Sequence, residues 1–170
     1  YNLFSGSIAE ISEGILKGIL DFGIVVAPLD MSQFDYLRLP MSDTFGLLMS
    51  KDNELSKKDK ITPKDIKDHP VWVANQQLEG NVLSSWLKKD VSQLNIVSTF
   101  NLVTTPAMMA EQGFGMVFTF ANLIDTTGNR NLCFKPLDPP IEATLYLVWK
   151  KYQLFTPAAK KFLEYVQNSL

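Results

Sequence analysis

Apolar positions along the 170 residues switch repeatedly between a two-residue period and a three-to-four-residue period, so strands and helices are expected to alternate. Tyr1 to Phe4 alternates like a strand. Ser7-Ile8-Ala9-Glu10 then places a hydroxyl and a carboxylate three residues apart, the spacing that satisfies the first free amides of a helix. Ile8, Ile11, Ile15 and Ile19 continue an apolar stripe, with Gly18 as the stop. Phe22 to Ala27 is apolar on both faces, which predicts a strand at the centre of a sheet covered by helices on two sides, and Pro28-Leu29-Asp30 breaks it.

Tyr36 to Pro40 and Thr44 to Ser50 read as two further strands separated by a junction at Met41-Ser42-Asp43. The charged run from Lys51 to Lys60 reads as a solvated loop with a short helix. Thr62-Pro63 predicts an N-cap with proline in the first turn of a short helix that stops before Pro70. Val71 to Ala74 predicts a core strand, Asn81 to Lys89 a helix buried through Val82, Leu83, Trp86 and Leu87, and Leu94 to Phe100 a β-branched strand. Thr105-Pro106 repeats the cap-and-proline device for a helix closing at Gly113, and Phe114 to Phe120 follows as a strand. Leu132 to Leu137 and Ala143 to Lys150 are the last strands, and Thr156-Pro157 opens a final helix with Leu163 and Val166 on its buried side. Near-regular alternation predicts parallel α/β layers, and two long connections between neighbouring strands predict two lobes rather than one sheet.

Composition narrows the function. An apolar content of 46% with 20% charged residues suits a globular core. A net charge of -2 with Lys and Arg scattered among as many acids offers no broad attraction for phosphates, which argues against direct nucleic-acid binding by this segment. No apolar run approaches the ~20 residues of a membrane span, and no signal-like start is present, so a cytoplasmic setting is expected. Cys133 is the single cysteine; between Leu132 and Phe134 it reads as a small apolar strand residue.

Candidates for catalysis fail on type or spacing. His69 is the only histidine, it lies between Asp68 and Pro70 at the end of a polar segment, and no second ligand stands near it for a metal. Neither a nucleophile elbow nor a phosphate-binding loop occurs. Gly113-Phe114-Gly115 follows a helix and precedes a strand, the reverse of a dinucleotide fingerprint, and reads as a tight turn. No catalytic residue, metal ligand or cofactor is therefore assigned. What remains are small polar residues where strands end and helices begin: Asn75, Gln76, Gln77, Thr104, Thr105 and Thr119. Helix starts offer free amides, and ligands of open α/β sheets sit beyond the carboxyl ends of strands. Capping and turn formation are the alternative role for each of them, most of all for Thr105.

Several segments, in order, resemble the regulatory domain of the LysR-type transcriptional regulators, a bacterial family. They are Gly18-Ile19-Leu20-Asp21-Phe22-Gly23-Ile24; Asp52-Asn53-Glu54-Leu55 with Ile61-Thr62-Pro63-Lys64-Asp65-Ile66 and Pro70; Glu111-Gln112-Gly113-Phe114-Gly115-Met116; and Leu145 to Lys151 with Thr156 to Leu163. Ala110 stands where a larger aliphatic residue is usual, and Phe120 replaces a common proline. The resemblance implies an α/β fold of the type 2 periplasmic binding protein kind, two lobes joined by two crossover strands with a ligand cleft between them. Lobe I would comprise residues 1–42 and 121–170, lacking its first strand and helix, and lobe II residues 43–120. The crossings would lie at Met41-Ser42-Asp43-Thr44 and Thr119-Phe120-Ala121.

The resemblance further implies a small-molecule effector, held by Ser42, Thr44, Asn75, Gln76, Thr104, Thr105 and Thr119, and DNA contact only through a helix-turn-helix outside this chain. It also implies assembly as a homodimer or homotetramer, without membrane association. A transporter's solute-binding protein of the same fold is the rival reading, and an enzyme on this fold would need a partnered acid or base that the sequence does not offer.

Overall fold

A computed structural model describes residues 1–26, 30–79 and 81–170; the break expected at Pro28-Leu29 and the end of the preceding strand at Ala27 lie outside the described residues. By contact the chain divides into two compact units, residues 1–42 with 143–170, and residues 43–142.

In the first unit, helix α1 (Ile8–Leu16) opens with the predicted capping box. The Ser7 amide donates to Glu10 Oε2 at 2.7 Å, and the Glu10 amide returns a bond to Ser7 Oγ at 3.3 Å. The helix stops at Gly18, whose φ of +71° is costly for a residue with a Cβ. Strand β1 (Gly23–Val26) pairs antiparallel with β7 (Glu142–Lys150), and β7 lies beside β2 (Phe34–Ser50). Ile15, Val25, Phe34 and Val148 form the core of this unit. Helix α5 (Pro157–Ser169) begins at Thr156, which accepts from the Ala159 amide at 3.3 Å, and docks through Phe162 on a cluster with Phe22, Phe155 and Trp149.

Three expectations change here. Tyr1 to Phe4 forms no strand: Tyr1, Leu3 and Phe4 are exposed, because no described strand lies alongside to take their backbone hydrogen bonds. Strand β1 is terminal in the strand order, not central, and its apolar run is half covered, with Ile24 58% exposed. The two strands expected at 36–40 and 44–50 are one 17-residue strand, β2, which continues through Pro40 and through the junction at residues 41–43.

The second unit is built on the distal half of β2. Strand β5 (Met116–Phe120) pairs with it antiparallel on one side and β6 (Leu132–Pro136) on the other. Beyond β5, strands β3 (Pro70–Ala74) and β4 (Asn95–Phe100) continue in parallel. All five residues of β5 are buried, as a strand with neighbours on both edges and packing on both faces requires. The β3-to-β5 route passes through helices α2 (Asn75–Glu79), α3 (Val82–Leu87) and α4 (Thr104–Glu111). Leu48, Ala107, Ala110, Val117 and Leu132 make the main core cluster.

Residues 121–142, assigned to the first lobe from sequence, group by contact with this second unit. The β6–β2 ladder and a 2.9 Å bond from Trp86 Nε1 to the Pro139 carbonyl hold them there. The division between the units by contact falls at Ser42/Asp43 and at Glu142/Ala143. The sheet is mixed, not parallel as the alternation predicts: β3 pairs in parallel with β4 and β5, whereas β1–β7, β2–β5 and β2–β6 are antiparallel.

The helix expected after Thr62-Pro63 is a series of turns. The Thr62 amide and hydroxyl both bond Asp65 Oδ2, at 2.8 and 2.7 Å, and Lys58 also donates to that carboxylate. These bonds favour a local turn closed on its own side chains. At the other predicted turn, Gly113 and Gly115 have φ of +82° and +120°. A Cβ on Gly115 would stand 2.8 Å from the Pro70 carbonyl oxygen, so strand β3 can approach only a glycine there.

Candidate functional site

The site is set by strand register in the second unit. Ala74, the last residue of β3, pairs with Phe100, the last residue of its parallel neighbour β4. The residues that leave these strands, Asn75-Gln76-Gln77 and Asn101 to Thr105, therefore emerge side by side at one end of the sheet. Strand β5 runs parallel to β3 with Trp72 opposite Val117, so Thr119, two residues further on, reaches the same level as Ala74. Strand β2 runs the other way, with Phe45 opposite Phe120, and Thr44 precedes it at the same end, its carbonyl accepting from the Ala121 amide at 3.0 Å. Six of the seven expected site residues, Thr44, Asn75, Gln76, Thr104, Thr105 and Thr119, are thus gathered at the carboxyl ends of three neighbouring parallel strands, where open α/β sheets bind ligands. The seventh, Ser42, is an exposed residue of the first unit.

Helix α4 starts two residues earlier than expected. Val103 occupies the cap position with no side-chain hydrogen bond, Thr104 and Thr105 lie inside the first turn, and Pro106 is the third helical residue. The cap role foreseen for Thr105 is not made. Both threonines are exposed, and the first-turn amides have no acceptor within the helix by its geometry. No acidic residue occupies that turn, so its partial positive charge is uncompensated from within.

Burial varies across the set. Asn75 and Gln76 are exposed and Thr119 is 3% exposed. Gln77, a polar residue of this stretch outside the seven, is 7% exposed, and among the described residues its Oε1 is buried without a hydrogen-bond partner. Its sequence context does not distinguish it from Gln76; only the fold separates them.

Below the site, Asp43 fixes the start of the second unit. Its carboxylate accepts from the Thr44 amide at 2.7 Å, the Asn122 amide at 3.3 Å and Asn122 Nδ2 at 3.2 Å, joining β2 to the chain leaving β5. At the far end of α4, Glu111 accepts from Arg130 Nη2 at 2.8 Å and from the Asn131 amide at 3.2 Å. The Arg130 hydrogen bond holds the Glu111 carboxyl below its ordinary range.

The remaining reactive groups have structural surroundings. His69 faces Glu54 at 3.5 Å on the polar turn. Burial pushes the Cys133 thiol up, against the opposing charges of Lys135 and Lys51, which disfavours the thiolate that reactivity needs. Among the described residues no group of three or more His, Cys, Asp or Glu could hold a metal, and no helix is long and apolar enough to cross a membrane. A groove between α5 and the turn before it, lined by Gln153, Leu154, Phe155, Lys160 and Leu163, belongs to the first unit and contains none of the candidate residues.

The arrangement offers hydroxyl, carboxamide and free-amide groups on short elements, without an acid–base or nucleophile pair. That chemistry suits reversible binding of a small polar molecule. Comparison with known proteins agrees with the fold. The effector binding domain of QuiR, solved in complex with shikimate, superposes with a TM-score of 0.81 at 17% identity, over 96% of this chain and 78% of that one. The uncharacterized HTH-type transcriptional regulator YvbU of Bacillus subtilis (strain 168) is 21% identical over 163 residues, 95% of this chain and 54% of its own length. The Hca operon transcriptional activator HcaR of Escherichia coli (strain K12) is 22% identical over 162 residues, 93% of this chain and 54% of its own. The chain thus spans about half the length of these two curated relatives. The sequence model of the LysR substrate binding domain matches residues 1–170, and the chain belongs to that family.

Proposed function

We propose that this chain is the effector-sensing domain of a LysR-type transcriptional regulator, taking a small molecule into its interlobe cleft. It is a receptor, not an enzyme. In the full-length protein, DNA would be held by a helix-turn-helix segment, and the effector would alter DNA binding by a cytoplasmic homodimer or homotetramer. A ligand can shift such an assembly only through unequal affinity for its arrangements.

The observation that carries this reading is the gathering of Thr44, Asn75, Gln76, Thr104, Thr105 and Thr119 at one end of the parallel strands. The shikimate complex of QuiR supports a small polar ligand, and the regulator names of YvbU and HcaR support a role in transcription. The test is a thermal-shift screen of small metabolites, shikimate included, on the wild-type chain and on Thr104→Ala and Gln76→Ala. A binding metabolite should raise the wild-type melting temperature by mass action. Each alanine variant should melt within a degree or two of wild type and bind that metabolite about tenfold more weakly, the effect of one lost hydrogen bond. Unchanged affinity in both variants would remove these residues from the site.

A further inference from the structure

Thr44 enters the candidate site from β2, one position beyond the outermost pair of the β2–β5 ladder, Phe45 with Phe120. Continuing that register outward places Thr44 opposite Ala121 and Asp43 opposite Asn122. The end of a ladder opens locally at small cost in free energy unless other bonds take over. At this end they do. The Ala121 amide donates to the Thr44 carbonyl at 3.0 Å, and one carboxylate then collects donors from both segments. Asp43 Oδ1 accepts from the Thr44 amide at 2.7 Å and from Asn122 Nδ2 at 3.2 Å, and Oδ2 accepts from the Asn122 amide at 3.3 Å. Asn122 lies 79 positions along the chain from Asp43, so the carboxylate ties together segments that no local turn would hold. Hydrogen bonds to an ionised acceptor are the stronger kind. The same bonds use the backbone of Thr44: its N–H donates to Asp43 and its carbonyl accepts from Ala121. Its hydroxyl is then the group it can offer to a ligand.

We propose that Asp43 is a positioning residue of the effector site, its carboxylate latching the end of β2 to the chain leaving β5 and so pre-forming the Thr44 corner before any ligand arrives. The use of that corner rests on the effector-binding reading; the latch is a property of the free chain. Without it the ladder would fray back towards Phe45 and Phe120, and a ligand would have to order Thr44 on binding, which lowers apparent affinity. With it, the Thr44 hydroxyl is carried on a fixed backbone, as selection among similar small polar molecules requires.

Amide hydrogen exchange on the ligand-free chain, resolved by NMR and corrected for intrinsic rates, tests the latch in wild type, Asp43→Ala, Asp43→Asn and Asp125→Ala. The last removes a carboxylate that also lies on the chain leaving β5 but bonds to Thr127, two residues away, and so controls for charge. Asp43→Ala should exchange about 10–100-fold faster at Thr44, Ala121 and Asn122, the loss expected for hydrogen bonds to a charged acceptor. Val117, in the middle of β5, should stay within about threefold of wild type and the melting temperature within about two degrees, because the opening is local. Asp43→Asn keeps one acceptor oxygen and should recover part of the protection; Asp125→Ala should leave all three amides as in wild type. Faster exchange spread evenly over Val117 and the three amides, with melting several degrees lower, would make Asp43 a general stabilising residue and overturn the inference. Unchanged protection at Ala121 and Asn122 in Asp43→Ala would overturn it as well. Neither failure touches the sensor reading, which the metabolite screen decides; a screen in which nothing binds would sink that reading while exchange still decides the latch.

Discussion

Strands β1 and β5 come from nearly identical sequence signals, continuous apolar runs of four to six residues, and end in opposite circumstances. Strand β5 lies between β2 and β3 with every residue buried, whereas β1 ends the strand order with Ile24 at the surface. The run itself does not decide which occurs. A strand becomes central only if other strands occupy both edges, and that is a property of topology. The second unit therefore has one fully buried strand, β5, among those that hold its candidate site, while the first unit shows an exposed apolar residue on its terminal strand.

This contrast can be broken most severely at the cores. Phe118→Ala, at a side chain with no exposure in the middle of β5, should lower unfolding free energy by about 3–5 kcal/mol. Ile24→Ala in β1 should cost about 1 kcal/mol or less. Urea denaturation measures both, and equal costs would mean that β1 is as well packed as β5. A smaller effect is expected at the turn feeding β5. Gly115→Ala forces a Cβ against the Pro70 carbonyl at a positive φ, and should cost about 1–3 kcal/mol by the same assay.

The turn at 62–65 sharpens the comparison through pH. Burial pushes the Asp65 carboxyl up, but hydrogen bonds from Lys58 and from the Thr62 amide and hydroxyl outweigh it and lower the group from 3.8 to about 2. A folded value below the unfolded one gives stability that is present above about pH 4 and lost as pH falls through about 2. With Lys58 half exposed, solvent screening reduces the gain to about 1 kcal/mol. Asp65→Asn should therefore be destabilised by about 1 kcal/mol at pH 7 and match wild type near pH 2, as followed by thermal melts across that range. The smallest stability change is expected at the site itself, where Thr104→Ala should shift unfolding by no more than about 0.5 kcal/mol, since the side chain is exposed and makes no cap bond.

Local signals in the sequence located most elements. The Ser7–Glu10 box, the Thr156 cap and the helical spacing of Leu83, Trp86 and Leu87 each act within a few residues, and each appears in the fold. Signals that depend on distant partners were less legible. Tyr1 to Phe4 has a strand pattern without a neighbour to pair with. The Thr62-Pro63 cap competes with Asp65 and Lys58, which close the turn instead. The placement of residues 121–142 depends on β6 pairing with β2 and on Trp86 reaching Pro139, contacts that span dozens of residues. For the site, polar residues at strand ends were visible in the chain, and register gathers six of them. The exposure of Thr105 and the burial of Gln77 were not visible, because cap geometry and side-chain burial follow from how α4 and α2 leave the sheet.

The central claim is that a small molecule binds at the carboxyl ends of β3, β4 and β5. The most direct measurement is amide chemical-shift mapping of the isotope-labelled chain with the metabolite that raises its melting temperature most. The account predicts that the largest shifts fall on Thr44, Asn75 to Gln77, Thr104, Thr105 and Thr119. Shifts concentrated instead on the α5 groove at Gln153 to Leu163, with the strand-end amides unmoved, would contradict it.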